Sequence, residues 1–180
     1  MGSATLFTVG TDSARTFGMG IDVFTLIERD HAELDQGLVE ITRKAPEQAR
    51  DILDGLRFGL AAHAGSEADM LSGLLETQGR GERLQFLVAQ VLAAHRAQQR
   101  ELEVLARMDA CSPAWHARAQ GLRDMVRQHD GHEQVSLAPA IRACVPGEEY
   151  ERLGAVFATG RLCLLTMAPL PASAQRWLHR

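Results

Sequence analysis

Cysteine is scarce in this 180-residue chain: Cys111, Cys144 and Cys163 are its complement, and no two form a C-x-x-C pair. An odd, scattered set gives neither a disulfide framework nor a thiolate zinc site, and it suits a reducing cytoplasm. An excess of basic charge is also missing. Lys and Arg number 19 against 23 Asp and Glu, giving a net charge of -4 without any block of one sign. Such a surface does not hold a polyanion, so nucleic acid is not an expected partner. Long apolar runs are absent as well. The longest, from Leu162 to Leu170, falls far short of the roughly 18 residues that cross a bilayer. The first residues, MGSATLFTVG, lack a basic segment followed by an apolar one, so neither export nor a membrane span is expected. Finally, no window shows the sustained alternation of a half-buried strand.

What remains is a chain with 46% hydrophobic and 23% charged residues, enough to bury one core in one domain. Its periodicity is helical. Phe24, Ile27, His31, Leu34, Leu38 and Ile41 fall at steps of three and four, the seam of an amphipathic helix. A second helix opens at Pro46 and carries Ile52, Leu56, Leu60, His63, Glu67, Leu71 and Leu74 on one stripe before Gly79 and Gly81 stop it. A third, from about Glu82 to Met108, faces Leu84, Val88, Val91, His95, Leu102 and Leu105 inward. Ser112 and Pro113 supply an N-cap and a first-turn proline for a fourth, with Leu122, Met125, His129, Glu133 and Leu137 inward. Pro139 should kink or end that helix.

Short connections make an all-α, antiparallel up-down four-helix bundle the expected fold, with a C-terminal helical extension. Residues 1–20, rich in Gly, Ser and Thr, read as an irregular arm, 21–143 as the bundle, and 144–180 as the extension. In the extension, Glu148 to about Ala158 could form a helix with Tyr150, Leu153 and Phe157 on one face, and Ser173 to His179 a short last one. That extension could cover the bundle or pair two copies of the chain into a homodimer.

His31, His63, His95 and His129 are separated by 32, 32 and 34 residues. In an up-down bundle a chain that travels to a turn and back over equal helical lengths returns to the level it left, so all four imidazoles should meet in one layer. His63 and His129 each carry a glutamate four residues on, Glu67 and Glu133, on the same helix face. HAGSEADML and HDGHEQVSL share the pattern H-x-x-x-E-x-x-x-L, so the chain reads as internally duplicated. One inward histidine is ordinarily a hydrogen-bonded core residue. Four at one level, with two buried acids that need a counter-charge, point instead to a pair of metal ions. Asp35 and Gln99, one turn after His31 and His95, could orient a ligand's second ring nitrogen or reach bound water. His132 is expected at the surface, His116 and His179 exposed, and Cys144 packed beside the bend after Pro139.

A histidine on helix one, H-x-x-x-E on helix two, a histidine on helix three and H-x-x-x-E on helix four together resemble the hemerythrin-like, or HHE cation-binding, family. ERDHAEL around His31 and HDGHEQVSLAP ending at Pro139 add to the likeness, which covers roughly residues 20–143. The resemblance implies a non-haem di-iron centre ligated by His31, His63, Glu67, His95, His129 and Glu133. The chain departs from the animal hemerythrins, where helix three has H-x-x-x-H: here Gln99 stands four residues after His95. The ion pair, joined by an oxo or hydroxo bridge, would then keep about two open positions for dioxygen, nitric oxide or peroxide. Mixed imidazole and carboxylate ligands favour iron, while leaving manganese and zinc open. The rival ferritin-like di-iron pattern needs two Glu-x-x-His motifs, and only Glu28 with His31 fits it.

The expected function is therefore binding of a small diatomic ligand or peroxide, for sensing, delivery or detoxification. The alternative is an iron- or redox-responsive module acting through protein association. Whether the chain turns a substrate over is left open by the sequence.

Overall fold

The computed structural model describes residues 22–77 and 81–167, and every element among them is helical. The expected arm at 1–20, the helix stop at Gly79 and the short helix at 173–179 lie outside the described residues. Six α-helices follow in order: α1 Val23–Ile41, α2 Pro46–Thr77, α3 Glu82–Arg107, α4 Pro113–His132, α5 Ala138–Cys144 and α6 Gly147–Met167. A π-helical turn, Glu133–Leu137, joins α4 to α5.

The helix starts are fixed by local chemistry. Asp22 caps α1, its carboxylate accepting from the backbone N–H of Phe24 at 2.8 Å and of Thr25 at 3.3 Å; such caps satisfy donors a first turn otherwise leaves open. Ser112 does the same for α4 through Trp115 N at 3.2 Å, with Pro113 in the first turn. The Trp115 indole N–H donates to Leu105 O at 3.2 Å, pinning the start of α4 to the end of α3.

Packing follows the apolar stripes. α1 touches α2 and α4, and α3 touches the same two, so the first four helices close a ring of neighbours; α6 lies against α1 and α2. There are two apolar cores. One gathers Phe24 and Ile27 from the start of α1, Leu71 and Leu74 from the end of α2, Val88 and Val91 from the start of α3, and Leu137, Ile141 and Phe157 from the later segments. The other gathers the opposite halves of the same helices, including Leu38, Leu56, Leu102, Trp115 and Leu122. Between them lies a buried polar layer.

Two elements differ from the sequence reading. Pro139 does not end the fourth helix. The chain widens into the π turn first and then continues helically through α5, so the carbonyl of Val135, which the proline ring would crowd, sits inside the widened turn. The inward stripe of α4 runs through Ala119, Leu122 and Val126, while Met125 is only half-buried. In the extension, α6 continues to Met167, well beyond Ala158, with Leu153 and Phe157 buried and Tyr150 half-buried. Its close seat on α2 explains Gly160: a Cβ there would stand 3.3 Å from Ser66 Cβ.

Candidate metal centre

The polar layer is built one side chain per helix turn. α1 contributes His31, α2 His63 and Glu67, α3 His95, and α4 His129; Glu133 opens the π turn, a distortion that recurs at functional sites. All six are buried, none more than 4% exposed. The four imidazoles form a closed ring. Neighbouring centroids lie 4.6 Å (His31–His63), 5.0 Å (His63–His95), 4.5 Å (His95–His129) and 5.1 Å (His129–His31) apart.

The rings pair through their Nε2 atoms, His31 with His63 at 3.1 Å and His95 with His129 at 2.8 Å. The first pair is the more telling. The Nδ1–H of His31 donates to Asp130 Oδ1 at 3.1 Å, and that of His63 to Asp30 Oδ2 at 3.3 Å. If each ring carries its one hydrogen on Nδ1, two Nε2 lone pairs are aimed at one another. A cation between them resolves the conflict: two imidazole nitrogens bound at ~2.1 Å and roughly at right angles stand about 3 Å apart.

The acids complete the set. Glu67 Oε2 lies 3.4 Å from His63 Nε2 and 3.5 Å from His95 Nε2, so one oxygen faces both pairs. Glu133 spans them with two oxygens, Oε1 2.9 Å from His129 Nε2 and Oε2 3.9 Å from His31 Nε2. None of the four carboxylate oxygens has a hydrogen bond of sound geometry, and His95 Nδ1 has none either. Burial, and then the neighbouring Glu133 charge, hold the Glu67 carboxyl well above the usual carboxylate range. For Glu133 burial also pushes upward, but the imidazoles of His129, His31 and His63 outweigh it and bring the group down. Burial drives His63 and His95 below the ordinary histidine value, so both are neutral and free to act as ligands. Unpartnered buried acids beside neutral imidazoles are a donor set that could hold a metal ion, and His31, His63, His95 and His129, with Glu67 and Glu133, bring their ligand atoms within 4.8 Å in two overlapping groups of four.

The residues behind the ligands are not those the sequence suggested. Asp35 points to Arg123, at 2.7 and 3.1 Å, and to no histidine. Gln99 is half-buried, and its neighbour Gln98 is the interior one, at 1% exposure. The carboxylates that hold the rings are Asp30 and Asp130, each adjacent in sequence to one candidate ligand and bonded to another. Arg161 of α6 holds Asp30 in turn, at 2.6 Å, and Phe157 sets its ring edge-on to His63 at 5.9 Å between centroids. An acid beside an inward histidine, as in RDH at 29–31 and HDG at 129–131, was the available signal. Arg161 had none, since its partner lies 131 residues away. His132 is half-buried rather than at the surface, His116 is exposed as expected, and Cys144 is exposed rather than packed. No helix among the described residues is long and apolar enough to cross a membrane. Comparison with known protein families, with curated proteins and with solved structures finds no match to this chain.

Proposed function

We propose that the protein is a non-haem di-iron binding protein, a hemerythrin-like, antiparallel up-down four-helix bundle that coordinates dioxygen, nitric oxide or peroxide for sensing, delivery or detoxification. One observation carries the reading: two Nε2 pairs of about one ion's width, at 3.1 and 2.8 Å, with two unpartnered glutamates facing both. His31 and His63 would hold one ion and His95 and His129 the other, with Glu67 and Glu133 shared. Alternation of helix ends within the two apolar cores supports the up-down order. Exposed free thiols at Cys111, Cys144 and Cys163 suit a reducing cytoplasm.

Bound iron would supply electrons and open coordination positions to a small ligand. The chain's own part is to fix and to shield. Asp30 and Asp130 hold two rings in the tautomer that leaves Nε2 free. Glu67 and Glu133 offset the cationic charge that burial would otherwise disfavour. The apolar cores on either side exclude bulk water.

The test is elemental analysis with an optical spectrum on protein purified anaerobically with ferrous iron and then exposed to air. About two irons per chain and new visible absorption are expected; a colourless protein with well under about one iron would refute the reading. A second reading, regulation by association, is favoured by Leu162 and Met167, 62% and 82% exposed on the helix whose Arg161 reaches Asp30. A change in oligomeric state between metal-free and iron-loaded protein, without ligand turnover, would single it out.

A further inference from the structure

Among the described residues two hollows lie beside the buried layer, and they differ in chemistry. On one side a groove of about 560 Å³ runs between α1 and α6, lined by Asp30, Phe157, Arg161 and Leu162 among others. Its floor is closed toward the centre. Asp30 is bonded both to His63 and to Arg161, and Phe157 covers the His63 ring. On the other side a cleft of about 260 Å³ lies between α3 and α4, lined by Gln90, Gln98, Met125, Gln128, His129 and His132. Here a candidate ligand itself, His129, forms part of the wall, and no carboxylate, lysine or arginine lines the cleft.

Gln98 is the unexplained member of that wall. Its side chain is 1% exposed, and its Nε2 has no hydrogen-bond partner. A buried amide donor left unpaired costs about 1–3 kcal/mol, and the residue stands one turn after His95, on the same buried stripe. His95, the other ring of the pair on this side, is also less constrained. His31 and His63 are backed by Asp130 and Asp30, whereas His95 Nδ1 has no partner.

We infer that the α3–α4 cleft is the route by which the small ligand reaches the metal centre, and that Gln98 is a ligand-binding residue there, donating its amide hydrogen to the bound molecule. The inference rests on the di-iron reading and adds its direction and selectivity. A cleft this size holds a handful of waters, and its lining of glutamine amides and histidines beside Met125 and Ala94, without a carboxylate, lysine or arginine, suits a hydrogen-bond acceptor of two to four heavy atoms. It disfavours bulky organic molecules. The ion held by His95 and His129 would be the one that takes the ligand.

Azide titration of iron-loaded, air-oxidised protein, followed optically and by stopped flow, tests this. Gln98→Leu should keep its iron and bind azide about tenfold more weakly, the scale of one hydrogen bond to a charged acceptor. Gln128→Trp, which narrows the cleft, should slow azide association several-fold at unchanged iron content, whereas Leu162→Trp in the α1–α6 groove should leave the rate as it is. Unchanged azide affinity in Gln98→Leu overturns the role of Gln98, and slowing by Leu162→Trp but not by Gln128→Trp overturns the route. If Gln98→Leu fails to fold, Gln98→Met takes its place in the same titration. A wild-type protein that takes up no iron refutes the di-iron reading itself, an outcome read from metal content before any azide is added.

Discussion

Glu67 has 0% exposure and two oxygens without a hydrogen bond. In the metal-free protein this is a cost: burying an acid without partners destabilises the fold unless the group stays protonated, and the Glu67 carboxyl is indeed held well above its ordinary range. For an acid with a raised folded value, the folded state binds the proton more tightly, so stability falls as pH rises from the ordinary carboxylate value toward the folded one. Glu67→Leu should therefore make the chelator-treated protein more stable by roughly 1–3 kcal/mol near neutral pH, with a smaller gain at pH 5. Urea unfolding at the two pH values reads the difference; a destabilised metal-free variant would contradict it. Asp30 acts through His63, so Asp30→Asn should weaken metal binding about 10- to 100-fold in competition with a chromophoric chelator. Asp35→Asn, which breaks only the pair with Arg123, should stay within about twofold of wild type. The contrast reflects what the sequence could show. Histidine spacing along single helices exposes the candidate ligands, because residues on one stripe share a face. The partner of a ring nitrogen is set by the neighbouring helix, so Asp30 serves His63 rather than the adjacent His31, and no intrahelical spacing encodes that.

At the scale of the element, helix starts were legible, while helix ends and inter-helix seating were not. Pro46 and Ser112 with Pro113 mark starts that the chain uses, because capping and proline geometry are local. The length of α6 is not local. Gly160 lies within the helix where α6 meets Ser66, next to Glu67. Gly160→Leu should destabilise the protein by about 1–3 kcal/mol through overpacking, and lower iron retention with it. Gly65→Ala makes a useful opposite. Its Cβ would meet only the Leu164 Cδ1, at 2.9 Å, the end of a flexible and 40% exposed side chain. With alanine favoured over glycine by about 1 kcal/mol in a helix, that variant should be neutral or slightly stabilised in the same melts. Asp22 shows how a cap responds to pH. Burial alone would raise its carboxyl, but the Tyr150 hydroxyl, Arg142 and the Thr25 N–H outweigh this and hold it below the usual range. The depressed value means that its stabilisation is present above the unfolded pKa, about 3.9, and is lost as pH falls through the folded one. Asp22→Ala should cost about 1 kcal/mol at pH 7, and the gap from wild type should narrow toward pH 3 in urea unfolding.

Across the whole molecule, an interior polar layer divides two apolar cores that draw on opposite halves of the same helices. Each core stabilises its own end, and in the layer between them the Glu67 and Glu133 carboxylates lack hydrogen bonds. A pair of metal ions bound there would tie α1, α2, α3 and α4 together at mid-height, since their candidate ligands together come from every one of them and from the π turn beyond. Binding to the folded state alone raises stability with ligand concentration, by about 2.7 kcal/mol at a hundredfold excess over Kd. For a domain of this size each kcal/mol moves Tm by roughly 2–4 °C, so iron loading under argon should raise Tm by about 5–10 °C. The rise should vanish in Glu67→Leu, whose metal-free form starts out more stable, so the order of wild type and variant inverts on adding iron. That inversion separates a metal centre from a merely packed histidine cluster, in which removing the acid would shift both melts alike. Melting curves of the two proteins, each with iron and with chelator, decide between them.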